Sequence, residues 1–246
     1  MSGAHCTLYV SSCDAYSDLW PGFFFFLKKR WPDCPFPITL SSESKTLAAD
    51  GLDIRCPRFY NSGRKAAWGE LQLRTLSSID TPYILFMLDD FYISRRVDGD
   101  MIAQCLVWMD ADAGIGKFML RPPHFEHGEA SEYPPFREDR SLDWRVNAQA
   151  SLWRTELFAK SISPDMNVWN WESIASRRSL DWPERFFMID PDYPDLAPIF
   201  YIDGGVLHLG QWNEDALIML RRNGLTINPY ERGVCRYCIK NPLERG

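Results

Sequence analysis

The segment Pro82–Ile93, PYILFMLDDFYI, constrains this chain more than any other. An apolar run from Tyr83 to Leu88 ends abruptly in two carboxylates, Asp89 and Asp90. A run of that length bounded by turn signals predicts a strand covered on both faces, as in the centre of a parallel sheet. Adjacent carboxylates cannot follow it into a dry interior unpaired, because desolvating an isolated charge costs too much. They must meet water, a cation or basic side chains. In open α/β sheets, ligands bind beyond the carboxyl ends of the strands. The pattern therefore puts a negative cluster on a ligand edge, where a divalent cation carrying a phosphate ligand is the natural partner.

The flanking sequence supports such a sheet. His5–Ser12 predicts a first strand, and Asp18 is placed to cap the helix that follows through Arg30, with Pro21 acceptable in its first turn. The consecutive Phe23, Phe24, Phe25 and Phe26 cover more than one helical face, so this helix is expected to be largely buried. Short strands are expected at Pro37–Leu40 and within Asp53–Tyr60, then a helix over Ala66–Ile79 leading into the strand at Tyr83. Strand, helix, strand, strand, helix, strand implies a mostly parallel sheet with right-handed crossovers. A helix at Asp98–Met109 and a strand at Gly116–Leu120 continue it, and Arg121–Asp143, rich in proline and charge, reads as a long functional loop. Further on, strands are expected at Trp144–Ala150, Arg185–Ile189, Ile199–Ile202 and Val206–Leu209. Helices are expected at Trp153–Ser161, Asn170–Arg178 and Asn213–Arg222, with irregular chain after Asn228.

At 246 residues, 46% hydrophobic and 14% aromatic, the chain can bury a large core, and one domain is expected. A net charge of −6 argues against broad binding to nucleic acid, which needs a basic surface, but leaves room for a local basic pocket. The seven cysteines are odd in number and scattered, which suggests no disulfide framework and a reduced, intracellular protein. Cys6, Cys13 and Cys105 fall in apolar segments and are expected in the core. No signal peptide is visible, and the Phe23–Phe26 run is too short to span a bilayer.

Four passages in this order carry a resemblance: Tyr9–Glu43, Ala67–Ile93, Arg145–Ile162 with Asn167–Glu172, and Gly204–Leu225. The chain resembles nucleotide-sugar-dependent glycosyltransferases of the GT-A fold, in particular bacterial and viral enzymes that build surface polysaccharides. The resemblance implies an α/β, Rossmann-like GT-A domain over 1–246, with a mixed, mostly parallel central sheet flanked by helices. Residues 1–97 would form its nucleotide-donor half and 98–246 its acceptor half. It implies transfer of a sugar, hexosyl or deoxyhexosyl, from a nucleoside-diphosphate donor to a saccharide acceptor, inverting and metal-dependent, in polysaccharide or glycan biosynthesis. A cytoplasmic location follows, at the inner face of a membrane where the acceptor is lipid-linked.

Residue by residue, the resemblance assigns Ser11, Ser12, Asp14, Glu43, Arg64, Trp68 and Asp89 to the donor nucleotide, with Ser42 beside Glu43. Asp90 and His208 would hold Mn²⁺ or Mg²⁺, ions suited to a carboxylate-plus-phosphate shell. Leu88 stands where the family's acidic motif usually begins with Asp, which leaves Asp90 as the principal ligand. Glu172 would be the catalytic base, and Gln149, Trp169 and Trp171 would contact the acceptor. Arg145 and Arg154 are further candidates for diphosphate or acceptor charge. His124 and His127, and the lone Cys235–Cys238 pair, are weak zinc signals; the loop holding the two histidines is expected to close over the acceptor. Two other readings compete. A nucleotidyltransferase that makes sugar nucleotides should open with a Gly-rich loop, which Ser11-Ser12-Cys13-Asp14 is not. A non-catalytic carbohydrate-binding protein of the same fold is the other, allowed by the missing first Asp.

Overall fold

The computed structural model describes residues 5–61, 63, 65–121, 128–202 and 204–235. In chain order the elements are β1 (Cys6–Ser11), α1 (Trp20–Arg30), β2 (Ile38–Leu40), β3 (Ile54–Arg55), α2 (Trp68–Leu76), β4 (Tyr83–Leu88) and α3 (Gly99–Ala111). They continue with β5 (Ile115–Met119), β6 (Gly128–Ala130), β7 (Phe136–Asp139), β8 (Ser151–Arg154), α4 (Thr155–Ser161), α5 (Val168–Ser179) and β9 (Arg185–Ile189). The chain then forms β10 (Leu207–His208), β11 (Gln211–Asn213), α6 (Glu214–Arg222) and β12 (Val234–Cys235).

Among the described residues, nine strands form one mixed sheet in the order β3-β2-β1-β4-β8-β5-β9-β7-β6. Only β8 and β7 run against the other seven strands, so the sheet is mostly parallel in direction. Alternation along β4 builds a core on each face. Tyr83, Leu85 and Met87 join Leu8 and Val10 beneath Phe23, Phe26 and Leu27 of α1, Ile102 and Cys105 of α3, and Leu217 and Leu220 of α6. Ile84 and Phe86 join Tyr9 and Trp153 beneath Leu76 of α2, Phe158 of α4 and Trp171 of α5. The expected α/β architecture is therefore present, and β4 lies in the middle of it, covered on both faces.

The structure corrects several local expectations. Asp18 does not cap α1: the N-cap is Leu19, without a side-chain hydrogen bond, and the Asp18 carboxylate instead pairs with Arg232. Cys13 is only half-buried, unlike Cys6 and Cys105. The expected loop 121–143 contains the hairpin β6–β7, which extends the sheet beyond β9. No strand forms over 144–150. There the backbone finds side chains instead: Ser176 Oγ bonds both the N–H and the carbonyl of Val146, and Glu172 accepts from the Ala148 N–H. The expected strand Ile199–Ile202 is reduced to a bridge between Ile93 and Tyr201, and the chain after Asn228 includes β12, which pairs with β11. No helix among the described residues is long and apolar enough to cross a membrane.

Candidate active site at the carboxyl edge of the sheet

Topology gathers the polar residues at one edge. β1 and β4 are parallel and end together, with Ser11 opposite Leu88, so the next residues, Ser12 and Asp89, emerge side by side. β8 is antiparallel, so the chain entering it, through Gln149 and Ala150, arrives at the same edge. β5 leaves the sheet there too, through Leu120 and Arg121.

Asp89 is buried. Its backbone N–H donates to the Ser11 carbonyl at 3.2 Å, and its carboxylate accepts from the Ser12 hydroxyl, which accepts in turn from the Trp20 indole at 2.7 Å. Burial, and next the charge of Asp90, push the Asp89 carboxyl well above the usual carboxylate range, although the Ser12 bond opposes this. Trp68 Nε1 donates to Ser11 Oγ at 3.2 Å. Burial raises the Asp90 carboxyl to about 7, against a bond from its own backbone N–H. Its Oδ1 is inaccessible to solvent and has no hydrogen-bond partner. The other side of the carboxylate lies against Gly205, where an added Cβ would come within 2.6 Å of Asp90 Oδ2, and the φ of +80° there also favours glycine. The Val206 N–H donates to the Asp90 carbonyl at 2.9 Å, which ties the start of the β10–β11 hairpin to this residue.

The loops after β1 and β2 are clasped together. The Asp14 N–H donates to Glu43 Oε2 at 2.6 Å, and the Asp14 carboxylate accepts from the N–H groups of Ser44 and Lys45 and from the Ser44 hydroxyl. Burial would raise Asp14, but these bonds prevail and hold its carboxyl below the usual value. On the other flank, Tyr201 stacks face to face on Phe91, with ring centroids 4.2 Å apart at 6°. Its hydroxyl donates to Gln149 Oε1 at 2.5 Å, Arg121 Nη1 donates to the same oxygen at 3.0 Å, and the Arg121 guanidinium lies 5.1 Å from the Tyr201 ring centre. Glu172, 8% exposed, stands one residue from Gln149: its Oε1 accepts from the Ala148 N–H at 2.7 Å. Burial raises the Glu172 carboxyl, while the Ala148 bond and the nearby Lys117 oppose the shift. Lys117 is itself buried and donates to the Arg145 carbonyl at 2.9 Å.

A short chain of contacts thus links Asp90 to Glu172 through Phe91, Tyr201, Gln149 and Ala148. Ser11 meets Trp68, which also packs on the Trp171 beside Glu172, and Asp14 and Glu43 join the loops after β1 and β2. Trp169 is 73% exposed at the start of α5. Trp171 is not an acceptor platform. It is fully buried, with its indole N–H on Ser161 Oγ and its ring among Trp68, Phe86 and Phe158, so neither face is open to a sugar. Arg154 is at the opposite edge of the sheet, and Arg145 is buried with a nitrogen on the Glu184 carbonyl. Arg64, His124, His127 and Cys238 lie outside the described residues.

Among the described residues, no group of three or more His, Cys, Asp or Glu side chains is placed to hold a metal ion. His208 sits on β10, two residues beyond the Val206 that bonds Asp90. The orphaned, buried Asp90 oxygen nonetheless fits a cation that takes few protein ligands and completes its shell with phosphate and water. Sequence reasoning missed Tyr201, Arg121, Gly205 and Arg232. The Gly204-Gly205 pair was a visible signal for a close backbone approach, whereas nothing local marked the other three.

No protein-family model and no curated protein matches this chain. Solved structures do. One is S. aureus TarS 1–349, with a TM-score of 0.49 and 13% identity over 80% of this chain and 60% of that one. Another is the mannosyltransferase PcManGT from Pyrobaculum calidifontis in complex with GDP-Man and Mn²⁺, with a TM-score of 0.49 and 13% identity over 77% of this chain and 55% of that one. The 2-C-methyl-D-erythritol 4-phosphate cytidylyltransferase from Thermus thermophilus has a TM-score of 0.48 and 11% identity over 88% of this chain and 98% of that one. This chain spans less than two thirds of the TarS fragment and of the mannosyltransferase.

Proposed function

We propose that this protein is a glycosyltransferase that moves a sugar from a nucleoside-diphosphate donor to a saccharide acceptor. The observation that carries the proposal is Asp90: a carboxylate with one buried, unpartnered oxygen, beside a second buried carboxylate, at the carboxyl edge of a sheet. Such a pair is stable as a charged site only when a cation enters from outside. Asp90 and His208 would hold Mg²⁺ or Mn²⁺, which supplies neutralisation of the charge that develops on the departing diphosphate. Ser11, Ser12, Trp68, Asp14 and Glu43 form the flank assigned to the nucleotide, with Asp89 holding Ser12 in place.

Glu172 is the proposed base. The Ala148 N–H orients one carboxylate oxygen, and burial makes the group a better proton acceptor than an exposed glutamate. The acceptor hydroxyl gives its proton to Glu172 as its oxygen bonds the anomeric carbon and the bond from that carbon to the diphosphate oxygen breaks, with inversion. Trp169 offers an exposed ring to a sugar face, and Gln149 is fixed by Tyr201 and Arg121. In this reading 1–97 and 98–246 are the donor and acceptor halves of one domain, and a lipid-linked acceptor would bring the protein to a membrane surface. The test is hydrolysis or transfer from a panel of sugar nucleotides with and without Mn²⁺. Turnover that needs the metal and is lost in Asp90→Ala is expected; full activity of that variant in excess chelator sinks the proposal.

A further inference from the structure

A diphosphate approaching this edge meets Asp14, Asp18, Glu43, Asp89 and Asp90 on a chain of net charge −6, so a cationic side chain facing it would favour its approach. Arg145 and Arg154 are engaged elsewhere. Lys45 ties the Asp14 carbonyl and the Ser17 hydroxyl. One cation that reaches this loop arrives from far along the chain. Arg232, just before β12, reaches back to the turn after β1. Its Nε donates to Asp18 Oδ2 at 2.6 Å, and its Nη2 donates to Asp18 Oδ1 at 2.5 Å and to the Ala15 carbonyl at 2.8 Å. Its guanidinium lies 4.7 Å from the centre of the Tyr16 ring.

Two features distinguish this arginine from an ordinary surface ion pair. Its side chain is only 16% exposed and is held on three sides, by the Tyr16 ring, a backbone carbonyl and a carboxylate. Its remaining nitrogen, Nη1, has no partner among the described residues and is not sealed from solvent. The guanidinium also lies within electrostatic reach of Asp89. The Asp18 carboxylate is 41% exposed, so water reaches the pair and screens it. A phosphate is a stronger partner for a planar guanidinium fork, and a fork already oriented by Tyr16 and Ala15 gives up little freedom on binding it.

We propose that Arg232 is an anion-binding residue of the donor site, which takes a phosphate oxygen of a nucleoside diphosphate in exchange for Asp18. The proposal rests on the nucleotide-sugar reading of this edge. It also makes the 224–235 segment part of the site: the same residue that closes the chain over the β1 turn reads the ligand's charge.

Calorimetric titration of UDP, GDP, CDP and dTDP, with the matching nucleosides, into the full chain in the presence of Mn²⁺ tests this. For the diphosphate that the wild type binds, Arg232→Gln should weaken binding about ten- to a hundredfold, the effect of removing a charge-assisted hydrogen bond, and leave nucleoside binding unchanged. Asp18→Asn, which frees Arg232 from its competitor, should bind the diphosphate as tightly as the wild type or more tightly. If Arg232 is only a latch for the C-terminal segment, both variants weaken diphosphate and nucleoside alike, and the proposal falls. It falls equally if Arg232→Gln binds the diphosphate like the wild type. If Arg232→Gln does not fold, Asp18→Asn decides, because weakened diphosphate binding there contradicts the exchange. Failure of the wild type to bind any of the four diphosphates overturns the nucleotide-sugar reading itself, which distinguishes the two failures.

Discussion

At the amino end of β4, Tyr83 lies opposite Arg154 of β8, and Arg154 donates to the carbonyls of Ile115, Met109 and Asp112 and to the Tyr83 hydroxyl. The Tyr83 hydroxyl and His5 bond Asp110, and Asp112 is bonded by Gly114, Tyr133 and Arg185. The Gly114 N–H is the chief cause holding the Asp112 carboxyl below the usual range, with slight burial opposing it and Tyr133 and Arg185 assisting. At the carboxyl end of the same strand, Asp89 and Asp90 are both raised, and one oxygen of Asp90 has no partner. Strand and sheet are common to both ends. The amino end satisfies its charges internally and serves the fold. The carboxyl end leaves one Asp90 oxygen without a partner, and burial there disfavours the charged form of both carboxyls.

The sharpest way to break this contrast is Asp90→Asn. Turnover of the donor should fall about a hundred- to a thousandfold, the scale of losing one electrostatic contact to a transition state. Thermal stability should hold or rise, because a carboxyl whose charged form is disfavoured there has been replaced by a neutral amide. Unchanged turnover in a sugar-nucleotide assay would make the two ends equivalent. Arg154→Ala probes the other end with the opposite pattern. Three backbone carbonyls lose their donor, so urea unfolding should show a loss of about 3 kcal/mol, while the kcat of the folded fraction stays close to wild type. A catalytic defect without a stability defect would contradict the assignment.

Gly205→Ala sharpens the contrast, since its new methyl would strike the Asp90 carboxylate in a backbone conformation that L-residues avoid. A loss of about 1–3 kcal/mol is expected, with turnover reduced as well because the displaced group is Asp90. Full activity and stability would show that the glycine turn does not shape the site.

The smallest effect concerns Lys117, where burial lowers the amine from 10.5 to about 8, with Asp139 opposing. Its folded-state pKa lies below the unfolded value, so folding disfavours the charged amine. That cost is present below pH 8 and is relieved as pH rises from about 8 toward 10.5. Against Lys117→Met, the wild type should therefore gain relative stability across this window in thermal melts. A difference between the two proteins that does not change with pH would show that the amine is not under strain.

Much of the fold was legible because β4 is so apolar. A run from Tyr83 to Leu88 can sit only in the middle of a covered sheet, and the alternating strands and helices before it imply parallel neighbours. Asp89 and Asp90 were legible as an edge site for the same reason. Trp171 was not legible as core. Its neighbour Trp169 has the same chemistry and is exposed, and only the packing of α5 on Trp68 and Phe86 separates them. Trp144–Ala150 was expected as a strand, yet side chains of α5 bond its backbone groups in place of a strand partner. Glu172 was singled out by its place in the chain, but its bond to Ala148 belongs to the folded state alone.

The sequence by itself determined that a strand covered on both faces ends in two carboxylates, because local apolarity and the cost of burying charge are properties of adjacent residues. Only the tertiary structure decided what stands around them. Gly205 against Asp90, Tyr201 on Phe91, and Arg232 on Asp18 are contacts between residues far apart in the chain, which local propensity does not encode. They arise because parallel strands bring their carboxyl ends to one edge, and the loops leaving that edge must pack on one another.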